Sequence, residues 1–99
     1  MHPLLTQERL LRFAQMNGVQ VMAYTQFGNA STAGRLSNAD SKTEYGVFMH
    51  RDEICAPAKK YNKTAGQVAL RWALQRGTVI MPKTEKVERL DENLNIFDF

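Results

Sequence analysis

Ninety-nine residues leave room for one small domain, and 43% hydrophobic against 23% charged residues excludes a disordered chain. The net charge of +3 is spread from Arg9 to Arg89 among interleaved acids, which argues against a nucleic-acid-binding face. No apolar run reaches membrane-spanning length and the N-terminus lacks the apolar core of a secretory signal, so the expected setting is cytoplasmic, with neither nucleic acid nor membrane as partner.

Residues 6–17 read as a helix, with Thr6 as N-cap, Glu8 in the first turn and Gly18 just past the end. Residues 19–24, VQVMAY, alternate and then run apolar, which predicts a strand. Residues 25–50 are rich in Asn, Ser, Thr, Gly and Ala without a period, and read as one long loop. The single cysteine, Cys55, excludes an internal disulfide, and His2 and His50 lack metal-ligand spacing. Two N-x-[ST] sequons, at Asn29 and Asn62, carry little weight without a secretory signal.

Residues 52–61 suggest a short helix in which Pro57 is awkward, so a late start near Ala56 is expected. The next helix, 65–76, is better marked. Thr64 and Gln67 match a capping box, Gly77 closes the end, and Val68, Leu70, Trp72 and Leu74 make a broad apolar face. TVIMP at 78–82 reads as a buried strand, and 85–94 as a last helix. Strands alternating with helices argue for an α/β protein with parallel strands. Two parallel strands alone leave both edges open, which suggests a part of something larger.

The stretch VIMPKTEKVERLDEN, 79–93, carries the first candidate site. With Thr84 as N-cap and roughly 100° per residue, Val87, Leu90, Leu94 and Phe97 fall on one arc, the expected core face. Lys86, Arg89 and Asn93 fall opposite, with Glu92 beside them. Lys83 would then leave the strand where a helix N-terminus exposes N–H groups, a natural phosphate position. Arginine adds a planar fork for phosphate or base, and Glu92 and Asn93 offer an acceptor and donor suited to an adenine edge. Taken alone, the same residues read more readily as an ordinary solvated helix face. The second candidate is Tyr24, which closes the first strand and opens into TQFGN; it could stack on a flat ring or be a half-buried core aromatic. Both candidates lie at C-terminal strand ends, where parallel α/β folds bind ligands.

The segments HPLLTQERLLRFAQMNGVQVMAY (2–24), FGN (27–29) and KKYNKTAGQVALRWALQRGTVIMPKTEKVERLDENLNIFDF (59–99) carry a family resemblance. The chain resembles the C-terminal part of the aldo-keto reductases, especially fungal xylose and aldehyde reductase-like members. The resemblance implies an α/β fold: the last two to three βα units of an eight-stranded (β/α) barrel, with residues 1–99 forming part of an NADP-dependent oxidoreductase domain. It implies NADPH as cofactor, with NADH as alternative, and a small carbonyl substrate once the missing half-barrel is supplied. Tyr24 would stack on the nicotinamide, and Thr25, Phe27, Gly28 and Asn29 would lie along the pyrophosphate. Lys83, Thr84 and Arg89 would hold the 2′-phosphate, and Glu92 and Asn93 would contact the adenine.

The family's catalytic Tyr, Lys, Asp and His lie upstream of the matching segments, so this chain alone is expected to be inactive. The alternative is a stand-alone module that binds a nucleotide phosphate or pairs with another protein, without catalysis. Three departures stand out: Pro57 replaces an apolar helix residue, 30–50 do not align, and Glu85 sits beside Lys83 and Thr84. A carboxylate there opposes a 2′-phosphate and weakens the case for NADPH over NADH.

Overall fold

The computed structural model describes residues 1–28 and 47–99. The order is α1 (Glu8–Met16), β1 (Met22–Ala23), a 3₁₀ turn (Val47–His50), α2 (Asp52–Tyr61), α3 (Ala65–Gln75), β2 (Val79–Ile80) and α4 (Glu88–Leu94). The expected alternation of helix and strand is therefore present. β1 and β2 pair in parallel, Met22 opposite Val79 and Ala23 opposite Ile80. Of the expected 25–50 loop, Thr25–Gly28 form a turn, Val47–His50 form the 3₁₀ turn, and the remainder lies outside the described residues.

The best-marked helix follows its local signals. The Thr64 side chain accepts from the Gln67 N–H, and the Gln67 side chain accepts from the Thr64 N–H, a complete capping box. Gly18 and Gly77, past the ends of α1 and α3, take φ of 67° and 74°, the left-handed region open to glycine. Leu70 is 0% exposed in the middle of α3. Phe48, Ile54, Ala58, Val68 and Ala69 form a core cluster between the 3₁₀ turn, α2 and α3.

Helix α2 starts at Asp52, not near Ala56, and contains Pro57 in its interior. Pro57 supplies no N–H to the Glu53 carbonyl, but Glu53 lies on the exposed side where water can satisfy it. Burial of Ile54 and Ala58 keeps the helix in register across the proline. The start of α1 also departs from expectation. Gln7, in the left-handed region, precedes the helix and no side chain caps it. Thr6 instead gives its carbonyl to Arg76, whose guanidinium also pairs with Glu8 at 2.6 Å.

Both strands shrink to two paired residues, and β2 is not the buried strand expected. Val79 and Met81 are exposed, as is Met22 in β1, because each strand has only the other as neighbour among the described residues. Helix α4 differs most. It begins at Glu88 rather than 85, and Val87, Leu90, Leu94 and Phe97 are all exposed. The buried residue of this segment is Ile96. The reason lies in polar tethers from α3. Gln67 donates to the carbonyls of Glu92 and Asn95 at 3.0 and 2.9 Å, and Arg71 donates to the Ile96 carbonyl at 3.1 Å. Lys63 pairs with Asp98 at 2.8 Å, holding that carboxyl below its usual range. These bonds present the polar side of α4 to α3 and turn its apolar arc outward. Among the described residues no helix is long and apolar enough to cross a membrane.

Candidate functional site

Beyond the C-terminal ends of the two strands lie two grooves that share Phe27. The larger, about 670 Å³, is lined by Tyr24, Thr25, Phe27 and Gly28 after β1 and by Pro82 and Lys83 after β2. The smaller, about 260 Å³, is lined by Phe27, Met49, Gly66, Arg89, Glu92 and Asn93. Eight of the ten residues singled out from the sequence thus line one of two adjoining grooves. Thr84 lines neither, and Asn29 lies outside the described residues.

The turn after β1 is built for close approach. Thr25 and Gly28 both have positive φ, 52° and 68°, and the Gly28 N–H bonds the Thr25 carbonyl at 2.9 Å. A threonine in that region stores strain of about 1–3 kcal/mol, which persists only when neighbours hold it. Gln26 is one such neighbour: it is buried and donates to the Ala23 carbonyl at 2.7 Å. His2, stacked on Phe48 at 5.5 Å, backs the Gly28 side of the turn. Burial, and then the nearby N-terminal charge, hold the His2 imidazole below its ordinary pKa. Tyr24 is 79% exposed, so its ring is a free face rather than a core aromatic.

At the end of β2 the charges are arranged differently from the expected anion pocket. Thr84 does not cap α4; its hydroxyl accepts the Lys86 N–H at 3.1 Å in a local turn. Lys83 is therefore separated from the first turn of α4, which itself carries Glu88 and Asp91. Lys83 instead forms an exposed ion pair with Glu85. The hydrogen bond from Lys83, and then its charge, lower the Glu85 carboxyl below its ordinary pKa. Arg89 makes no ion pair among the described residues and lines the smaller groove.

Several residues of the site carry no motif of their own. Met49 and Gly66 line the smaller groove, and Thr64 donates its hydroxyl to the Glu92 carboxylate. The capping box was legible as a helix start, but nothing in its spacing points to a residue 28 positions away.

Among the described residues the arrangement offers an exposed aromatic, a backbone turn, an arginine without an ion pair and an acceptor–amide pair along two grooves that share Phe27. That suits an elongated ligand with flat ends and an anionic middle. The sequence model of the aldo/keto reductase family matches residues 1–99. This chain belongs to the aldo-keto reductase family. It is 45% identical over 97 residues to the NAD(P)H-dependent D-xylose reductase of Kluyveromyces lactis, covering 98% of this chain and 29% of that protein. The corresponding Candida tenuis enzyme is 45% identical over 103 residues, with 98% and 30% covered. The crystal structure of a Bombyx mori aldo-keto reductase in complex with NADP superposes with a TM-score of 0.80 at 31% identity, covering 100% of this chain and 30% of that one. A further aldo-keto reductase, complexed with NADPH, gives 0.79 at 36% identity, with 100% and 29% covered. The chain thus spans about 30% of the length of the family members it matches.

Proposed function

We propose that this chain supplies the last two to three βα units of a (β/α)8 barrel and carries the adenosine side of its NADP(H) site. The observation that carries this reading is the junction of the two grooves at Phe27, just beyond the C-terminal ends of β1 and β2. Tyr24 provides a face for the nicotinamide, and the strained Thr25–Gly28 turn brings backbone close to the pyrophosphate. Lys83 on the larger groove and Arg89 on the smaller would hold the 2′-phosphate, and Glu92 and Asn93 would contact the adenine. The bound dinucleotide would supply the hydride for carbonyl reduction. The outward apolar residues of β1, β2 and α4 match faces that further barrel units would cover.

On this reading the residues that protonate a carbonyl belong to barrel units that this sequence does not match. The 99-residue chain is expected to bind NADPH saturably and to oxidise none of it with xylose or glyceraldehyde present. Titration calorimetry and absorbance at the nicotinamide band measure the two. NADPH oxidation that disappears in Lys83→Ala would overturn the inactive-alone reading, and absence of binding would overturn the site. Among the described residues each strand pairs only with the other, and these edges support a second reading, a non-catalytic module that pairs with another protein. It predicts association with a partner and no dependence of that association on NADPH.

Glu85 sets cofactor choice in this proposal. At neutral pH its carboxylate occupies Lys83 and opposes a 2′-phosphate. Glu85→Gln is expected to tighten NADPH binding roughly two- to fivefold and leave NADH unchanged, since the pair is exposed and weakly coupled. The sign follows from linkage. Glu85 has a depressed pKa, so the pair persists above the unfolded-state value and is lost as pH falls through the folded one. Equal gains for both dinucleotides in the variant would exclude this role.

A further inference from the structure

The capping box of α3 does more than start a helix. The Thr64 hydroxyl accepts the Gln67 N–H at 3.2 Å and, from the same oxygen, donates to Oε1 of Glu92. Gln67, itself buried, grips the same residue by its backbone, donating to the Glu92 carbonyl at 3.0 Å. Glu92 is thus held at both its main chain and its carboxylate by two residues of one motif. Among the described residues Oε2 of Glu92 makes no hydrogen bond, and the residue lines the smaller groove beside Asn93, Arg89 and Phe27. Gly66 lies between these groups; its missing side chain would sit 3.6 Å from both Glu92 Oε1 and Thr64 Oγ1.

We propose that Thr64 is a positioning residue for purine recognition: its hydroxyl fixes the Glu92 carboxylate so that Oε2 accepts a hydrogen from a 6-aminopurine and rejects a 6-oxopurine. The inference rests on the NADP(H) reading of this groove. The chemistry is simple. An ionised carboxylate only accepts hydrogen bonds. The exocyclic amine of adenine donates one, whereas the carbonyl of hypoxanthine sets acceptor against acceptor. A carboxylate free to rotate could turn away from that carbonyl and lose the discrimination. One anchored by a hydroxyl cannot turn without breaking a charge-assisted bond.

The test compares NADPH with reduced nicotinamide hypoxanthine dinucleotide phosphate, which carries the same charges, so any general electrostatic change cancels in the ratio. The wild-type chain is expected to bind NADPH about tenfold more tightly than the hypoxanthine analogue, the scale of one unmade hydrogen bond with a charged group. Thr64→Ser keeps the hydroxyl and is expected to keep the ratio. Thr64→Gly removes it, yet glycine is tolerated at N-caps nearly as well as threonine. Its ratio is expected to fall to about two or below with helix content by circular dichroism unchanged. Should the glycine variant unfold, Thr64→Asp repeats the test, since aspartate caps strongly but has no hydrogen to give Glu92. A tenfold ratio preserved in the hydroxyl-free variants overturns the proposal. So does an equal loss of affinity for both dinucleotides, which marks a purely structural role. If the wild type binds both equally, the positioning role fails while the dinucleotide site stands. If it binds neither, the dinucleotide site itself fails and this inference with it.

Discussion

Leu70→Ala is expected to destabilise the chain by about 2–5 kcal/mol, the range for emptying a fully buried leucine site. Leu70 is 0% exposed in α3, the element that contacts the core cluster, β2 and α4. A small domain holds only about 5–15 kcal/mol in total, and this one leaves many large apolar residues in water. The variant is therefore expected to lose most of its cooperative unfolding transition. Trp72, the sole tryptophan, lies two residues away with the Arg76 guanidinium 4.8 Å above its ring, and its fluorescence reports the transition in urea. Leu94→Ala is the matched control. Leu94 falls on the apolar arc of α4 but is 70% exposed, so its loss is expected to change stability by less than about 0.5 kcal/mol. Equal effects at the two positions would contradict the outward orientation of α4.

Arg89→Ala is expected to weaken NADPH binding roughly 10- to 100-fold, the equivalent of one lost charge-assisted contact of about 1.5–3 kcal/mol. Arg89 is exposed and makes no ion pair among the described residues, so its removal leaves the fold intact. The planar fork suits both a phosphate and the face of a purine, and lysine cannot replace it in the second role. NADH, without the 2′-phosphate, is expected to lose less than NADPH. Calorimetric titration of both dinucleotides against both proteins supplies the comparison. An unchanged NADPH affinity would remove Arg89 from the site and leave Lys83, already paired with Glu85, as the groove-lining cation among the described residues.

The two predictions draw on different levels of the molecule. Thr64 with Gln67, Gly18 and Gly77 act within one or two turns of chain, so their helix boundaries could be read directly. The family resemblance is likewise legible in linear motifs, and the family match covers residues 1–99. Val87, Leu90, Leu94 and Phe97 fall on one arc of a helical projection that predicts a core face, yet all four are exposed and only Leu90 and Leu94 lie within α4. A helical projection orders side chains around an axis and contains no information about the neighbour. Here the neighbour is α3, whose Gln67 and Arg71 bind carbonyls of the C-terminal segment, while Lys63, just before the α3 N-cap, pairs with Asp98.

Sequence alone therefore determined the element order, the family and most of the residues gathered at the strand ends, because each depends on short-range backbone chemistry or on a linear motif. Tertiary structure decided the rest. It joined the two grooves at Phe27 and brought Thr64 to Glu92 across 28 residues. Such pairings arise only when packing brings distant segments together, since a hydroxyl or carboxylate has a partner only within about 3 Å.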